Sequence, residues 1–393
     1  MNITKKIRGL VKITAAGCAA VLLAACGGDE TTVEPTGSVR VALTDAPSCG
    51  FDQVNITVVR VRLHTSQTAN ENASGWRDLA LTPPHRVNLL NLTNGVLEEL
   101  GQMGLPAAQY TQLRLVLQAN TGGASPANSV VPSGGSEQAL DTSNIAPSGI
   151  KLIHPFTVPA GGLADVLFDF DACKSIIPRG NGTYGLKPVI AVVPRQVAEI
   201  VGNVDPAISG MRVSAQVGGN AMRTTVPDAN GAFKLAFLDP AVAANVDVVF
   251  AAPGRATAVI SSVPVALQST TQVSTSAVPI SLPFALTRNA SGAVMPTAAQ
   301  ASVRALQAVG TVPKIEVASV NANAIGGYAL ALPTAPPQLA TYSNMLPLVF
   351  LPQLGNAAKF TLEVSADGYV AQSADVDLTM TDATTDFTLT PAP

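Results

Sequence analysis

The chain is short of the side chains that most often carry chemistry: three histidines, one tryptophan, five tyrosines and four cysteines occur in 393 residues. His64, His85 and His154 fall into no H-x-H or H-E-x-x-H spacing, so no histidine metal centre is legible. Each sits where a surface or strand-edge histidine is at home: His64 closes an apolar run, His85 follows Pro83-Pro84, and His154 precedes Pro155. There is no G-x-S-x-G elbow, no P-loop and no G-x-G-x-x-G that leaves a strand to open a helix, which removes the readily recognised hydrolase and nucleotide-binding devices. Trp76 follows Gly75 at the start of an expected strand, where core or rim packing suits it better than a sugar platform. So few rings argue against strong polysaccharide stacking. Charged residues make up 12%, too few for the Glu- and Lys-rich surfaces of long helices. After residue 25 no apolar run reaches the roughly 20 residues that span a bilayer.

What is abundant is Ala, Val, Thr and Ser, with 32 Gly and 29 Pro, the composition of short strands and frequent turns. Lys5, Lys6, Arg8 and Lys12 precede an apolar stretch from Ile13 to Ala25, the layout of a secretory leader. Leu23-Ala24-Ala25-Cys26 resembles the lipobox of bacterial lipoproteins. That resemblance implies cleavage before Cys26, acylation of its thiol and new amine, and tethering to a membrane, since several acyl chains anchor where one is marginal. Gly27 rather than Asp after the cysteine favours the outer membrane over the inner one, again by resemblance. Residues 26–37 are polar and acidic and read as a flexible tether.

The leader holds four of the 23 basic side chains and none of the 26 acidic ones, leaving 19 basic and 26 acidic groups, a formal charge of −7. That is the wrong sign for nucleic acid. Beyond Cys18 and Cys26 two cysteines remain, Cys49 and Cys173. In an exported chain two thiols are expected to pair, the alternative being two free buried thiols.

Residues 38–195 read as one block of strands: 38–43, 54–63, 110–118, 150–158, 163–170 and 184–193. The stretch 95–103 reads as a short helix, and 119–147, rich in Gly, Ser, Asn and Pro, as a long surface loop or hairpin excursion. Several stretches in order carry a family resemblance: Val41 to Pro47, Val54 to Leu63, Trp76 to Leu79, Val87 to Leu90, Leu105 to Leu115, Ser148 to Leu152, Phe168 to Asp171 and Tyr184 to Val189. The block resembles the domain of unknown function 4382, common in bacterial lipoproteins, a resemblance that implies no activity.

Residues 196–280 and 281–393 read as two copies of a smaller module. The first carries Asp228-Ala-Asn-Gly231-Ala-Phe233 and the second Asn323-Ala-Ile-Gly326-Gly-Tyr328. The polar residue caps a turn, Gly supplies positive φ, and the ring starts a core-facing strand. These copies resemble carboxypeptidase regulatory-like, transthyretin-type sandwiches. The second departs by a Pro-rich insert from Pro333 to Gln353. The expectation is therefore all-β: three β-sandwich domains in tandem, strung like beads after a leader and tether.

The best polar constellation is Asp45, Asp169 and Asp171, with Lys174 and Lys187 nearby in sequence. Residues 169 and 171 are two apart in a strand and point the same way. Cys49 and Cys173 flank the two acidic motifs, which suggests that these lie close in space. Carboxylates sharing a face could hold calcium or work as an acid/base pair on a glycan. Equally, they could form structural ion pairs with Lys174 or Lys187, or cap turns. The function expected is a lipid-anchored, non-catalytic envelope module for a protein or glycan partner, with a calcium-binding or glycan-processing site at the three aspartates as the alternative.

Overall fold

The computed structural model describes residues 35–46, 50–122, 125–143, 145, 147–195 and 198–393. Cys26, Cys49, the leader and most of the tether lie outside them. Nearly all regular structure is strand, arranged in six sheets around three apolar cores.

The first core lies between two sheets. One runs β4 (Glu98–Pro106), β1 (Thr36–Ala46), β9 (Leu163–Asp171), β12 (Ile190–Pro194). In it β1 pairs antiparallel with β4 and parallel with β9. The other runs β8 (Ile150–Val158), β5 (Ala108–Leu117), β2 (Phe51–His64), β6 (Ser129–Pro132), β7 (Gln138–Asp141), β11 (Thr183–Leu186), β10 (Ile176–Arg179), with β3 (Arg77–Asn88) also on β2. Alternation builds these strands: Val39, Val41 and Leu43 point into the core, as do Leu113, Leu115 and Leu117. In β2 the inward set is Val54, Ile56, Val58, then Val61 and Leu63. The parity switches because the register slips between Val58 and Arg60, a bulge that keeps both halves of one long strand facing the same core.

Two expectations change in this block, and the hairpin alternative for 119–147 holds. Residues 95–103 form no helix; most of them enter β4. Gly101 inside that stretch weakens a helix by about 1 kcal/mol, and the open edge of β1 offers a full antiparallel ladder instead. The run 184–193 is two strands in different sheets, broken at Pro188, which has no N–H for a ladder. The excursion 119–147 carries the hairpin β6–β7, and Asn128 within it is fully buried. Its Oδ1 accepts the Thr57 amide at 3.0 Å and its Nδ2 donates to Gln118 O at 2.6 Å, so a side chain replaces missing ladder bonds.

The second core is covered on one side by β16 (Ala232–Leu235), β13 (Ala198–Asn203) and β19 (Ser269–Gln272). On the other lie β15 (Asn220–Thr225), β14 (Arg212–Val217), β17 (Asn245–Ala251), β18 (Ala258–Pro264), β24 (Gln338–Thr341) and β25 (Leu351–Pro352). The last two strands come from the Pro-rich insert of the following module. Strand β24 pairs in parallel with β18, from Ala258 opposite Gln338 to Ser261 opposite Thr341.

The third core lies between β23 (Gly327–Pro333), β20 (Thr287–Met295), β28 (Ala383–Thr384) and β29 (Phe387–Thr388) on one side, and β22 (Val312–Asn321), β21 (Ser302–Val309), β26 (Lys359–Ser365) and β27 (Gln372–Asp377) on the other. Val249 of β17 and Val259 of β18 are buried in this third core, while their neighbours Val248, Phe250 and Ile260 face the second. One sheet thus buries both faces. Beads on a string is the wrong picture: residues 35–393 form one compact unit.

The two turn motifs are built alike. Asp228 Oδ1 accepts the amides of Asn230 and Ala232, both at 2.9 Å, and Asn323 Oδ1 accepts those of Ile325 and Gly327, at 3.1 and 2.9 Å. Phe233 and Tyr328 then enter their cores.

Candidate functional site

Parallel pairing of β1 with β9 sets Thr44 opposite Asp169, Asp45 opposite Phe170 and Ala46 opposite Asp171. The two acidic motifs therefore do lie together, at the end of the first sandwich. Each carboxylate is engaged. Asp45 is buried, and its Oδ1 accepts the Ala172 amide at 3.0 Å. Asp171 caps the single helical turn α1 (Ala172–Ser175), accepting the Lys174 amide at 2.9 Å, with Lys174 Nζ 3.7 Å from its other oxygen. Asp169 meets a cation that its own block does not supply: Arg223 Nη1, on β15 of the second sandwich, at 2.7 Å. Arg223 also donates to Phe237 O at 3.1 Å.

Lys174 continues the chain of charges into the third sandwich. Its Nζ lies 3.4 Å from Glu316 of β22, and the other Glu316 oxygen lies 3.6 Å from Arg304 of β21. Arg304 in turn holds Glu363 at 2.6 Å. Lys187 serves none of the three aspartates; it donates to Gln300 O at 3.1 Å and lies 3.9 Å from Asp367, both in the third sandwich. A fourth tie is uncharged: Asn94 of the first block donates its amide to Thr225 Oγ1 at 3.0 Å and accepts from that hydroxyl at 2.7 Å.

Burial pushes the Asp169 carboxyl above its ordinary value, with the Arg223 charge pulling it back and the Asp171 charge adding to the rise. Burial also raises Asp171, against Lys174. These directions are what desolvation at a packed interface produces.

Space decides what such a cluster can do. The cavity lined by Asp171, Lys174, Arg212, Gln216 and Glu316 has a volume of about 30 Å³, and that beside Asp45, Asn94, Asp169 and Arg223 about 20 Å³. Each suits a water or so, whereas small-molecule pockets run to ~300 Å³ and more. Among the described residues no group of three or more His, Cys, Asp or Glu is placed to hold a metal ion. Calcium asks for six to eight oxygens, and these carboxylates already face cations and amides.

The other candidates fall elsewhere. His64 is buried rather than at the surface: its Nδ1 accepts the Ser66 amide at 2.8 Å, so Nε2 donates to Ser74 O at 2.9 Å. His85 pairs with Glu98 at 2.6 Å. His154 is half-buried, which lowers its pKa. Trp76 is half-buried, with the guanidinium carbons of Arg62 and Arg114 4.7 and 5.4 Å from its ring and His64 edge-on at 5.0 Å. Sequence reasoning missed Arg223 and Glu316. Both stand in ordinary strands far from the acidic motifs in the chain, and no local pattern marks them.

Residues 36–188 match the family model described as Domain of unknown function (DUF4382). No curated protein matches the chain in sequence. Among solved structures, the Bacillus anthracis TIE protein is similar at 11% identity and a TM-score of 0.18, over 91% of this chain and 51% of that one, so the chain spans about half its length. The Streptococcal ancillary pilin is similar at 10% identity and a TM-score of 0.17, over 90% of this chain and 100% of its own. The Corynebacterium diphtheriae major pilin SpaA is similar at 10% identity and a TM-score of 0.19, over 90% and 99%. At these values the likenesses carry no functional inference.

Proposed function

We propose that the chain is a lipid-anchored, non-catalytic envelope protein that acts as a scaffold or binding module, with protein or glycan as partner. The observation that carries the reading is the fate of Asp169: its buried carboxylate is taken up by Arg223 of another sandwich, in a space too small for a substrate. The acidic motifs act as a lock between modules, and Lys174 with Glu316 extends the lock to the third.

Two measurements test this. Radiolabelled palmitate should enter the full chain and be absent from Cys26→Ser; label persisting in the variant sinks the anchor. The melting midpoint should be the same with calcium and with chelator, while a saturable rise with calcium, lost in Asp169→Asn, would move the reading to a metal site.

A further inference from the structure

One open cavity differs in kind from the junction. It has a volume of about 500 Å³ and is walled by all three sandwiches, from Gly50 in the first, Arg212 and Ala251 to Arg255 in the second, and Val317 to Ser319 and Ala331 to Pro333 in the third. Its size is that of ligand clefts, and clefts between domains are where such ligands usually bind. The walls are mostly apolar: Val226, Ala252, Pro253, Ala331 and Pro333. The charged residues of its lining are Arg212 and Arg255, with no Asp or Glu among them.

The two arginines are not equivalent. Arg212 also borders the small acidic cavity, beside Asp171 and Glu316, so its charge is shared with the junction. Arg255 has no carboxylate within ion-pair distance among the described residues. It donates to Leu282 O at 3.1 Å, and its guanidinium carbon lies 4.4 Å above the ring of Phe284. Phe284 and Leu286 are about four-fifths exposed. They flank Ala285, whose amide bonds to Gly254 O at 2.9 Å, Gly254 and Arg255 themselves lining the cleft.

We infer that this cleft binds a small carboxylate with an apolar body, the carboxylate at Arg255 and the body against Val226, Pro253 and Pro333. The charge of the lining selects an anion, because a neutral or cationic guest would leave the guanidinium uncompensated in a largely apolar wall. Free apolar acids and the C-terminal carboxylate of an apolar peptide share this chemistry. The inference is independent of the anchor, and its failure would leave the scaffold reading intact.

The test uses the full chain in a non-ionic detergent, titrated calorimetrically with 4-phenylbutyrate and with its neutral amide. One saturable site is expected, at least about tenfold tighter for the acid. Arg255→Gln should weaken the acid by a similar factor and leave the amide unchanged. Ala331→Trp fills the cleft from an exposed strand position and should abolish both. A third titration, with acetyl-Leu-Phe and its C-terminal amide, separates the peptide from the free acid as source. Equal binding of acid and amide, absence of saturation, or indifference to both substitutions in a protein of unchanged melting midpoint would overturn the inference.

Discussion

Asp169 and Arg223 face each other across two sandwiches, Oδ2 to Nη1 at 2.7 Å, with side chains only 14% and 10% exposed. A pair so dry adds little over an apolar match, but it penalises the loss of either partner, because the survivor is left charged and buried. Arg223→Met should lower stability by about 3 kcal/mol, because it strands the buried Asp169 carboxylate, whereas Asp169→Asn, which keeps the shape and removes the charge that burial disfavours, should cost clearly less. The double variant should cost clearly less than the sum, by chemical denaturation. Additive losses would mean that the two groups do not act on each other.

The pH dependence has a definite sign. Burial raises the native pKa of Asp169 and of Asp171 above the unfolded value. Such groups stabilise the fold fully below the ordinary carboxylate value near 4, and the contribution is lost as pH rises through the native value. Lowering the pH from 7 to about 4.5 should therefore shift the stability difference between wild type and Asp169→Asn/Asp171→Asn toward the wild type. A difference flat with pH, in urea midpoints, would place both carboxylates at ordinary values.

The insert between Pro333 and Gln353 supplies β24 and β25 to the second sandwich. Replacing residues 335–352 by a short Gly/Ser linker should expose the edge of β18. Hydrogen exchange at residues 258–261 should quicken by tenfold or more, while the amides of β1 stay protected, and the variant should be prone to aggregate. Unchanged exchange at β18 would mean that the pairing contributes nothing.

Gly231 and Gly326 hold φ of +77° and +81°. A Cβ on them would come within 2.1 Å of Val204 O and 2.4 Å of Val294 O. Gly368 has φ of +77° with open space around it. Alanine at either of the first two should cost about 2 kcal/mol or more, and at Gly368 only about 1 kcal/mol. Equal thermal shifts at all three would remove the steric part of the argument.

Pairing of Cys49 with Cys173 is a proposal supported by register: Ala46 stands opposite Asp171, three residues before one cysteine and two before the other. A bond there closes a loop of about 124 residues, worth about 4 to 5 kcal/mol in the chain-entropy model. Reductant should lower the melting midpoint of the wild type and leave that of Cys173→Ser unaffected. A reductant effect of equal size in both would place the pairing elsewhere.

Strand content, the strands β1, β2, β5, β8 and β9 and the twin turns at Asp228 and Asn323 are legible in the amino acids, because period-two burial and turn chemistry act over a few residues. So is the nearness of Asp45 to Asp171, which the flanking cysteines suggested. Local signal misled where two conformations compete on even terms. Residues 95–103 carry a helical pattern, yet the ladder available on β1 outweighs it. Asn128 reads as loop surface and is a buried stand-in for backbone.

What only the tertiary structure decided is partnership across long chain separations. Nothing near Arg223 or Glu316 announces that one will meet Asp169 and the other Lys174. Nothing in a Pro-rich insert says that it will complete its neighbour's sheet. The sequence by itself determined all-β modules and the residues that make their turns and cores, since those depend on neighbours along the chain. Whether three carboxylates form a reactive site or a lock depends on which charges and how much empty space packing brings to them, and only the folded arrangement sets both.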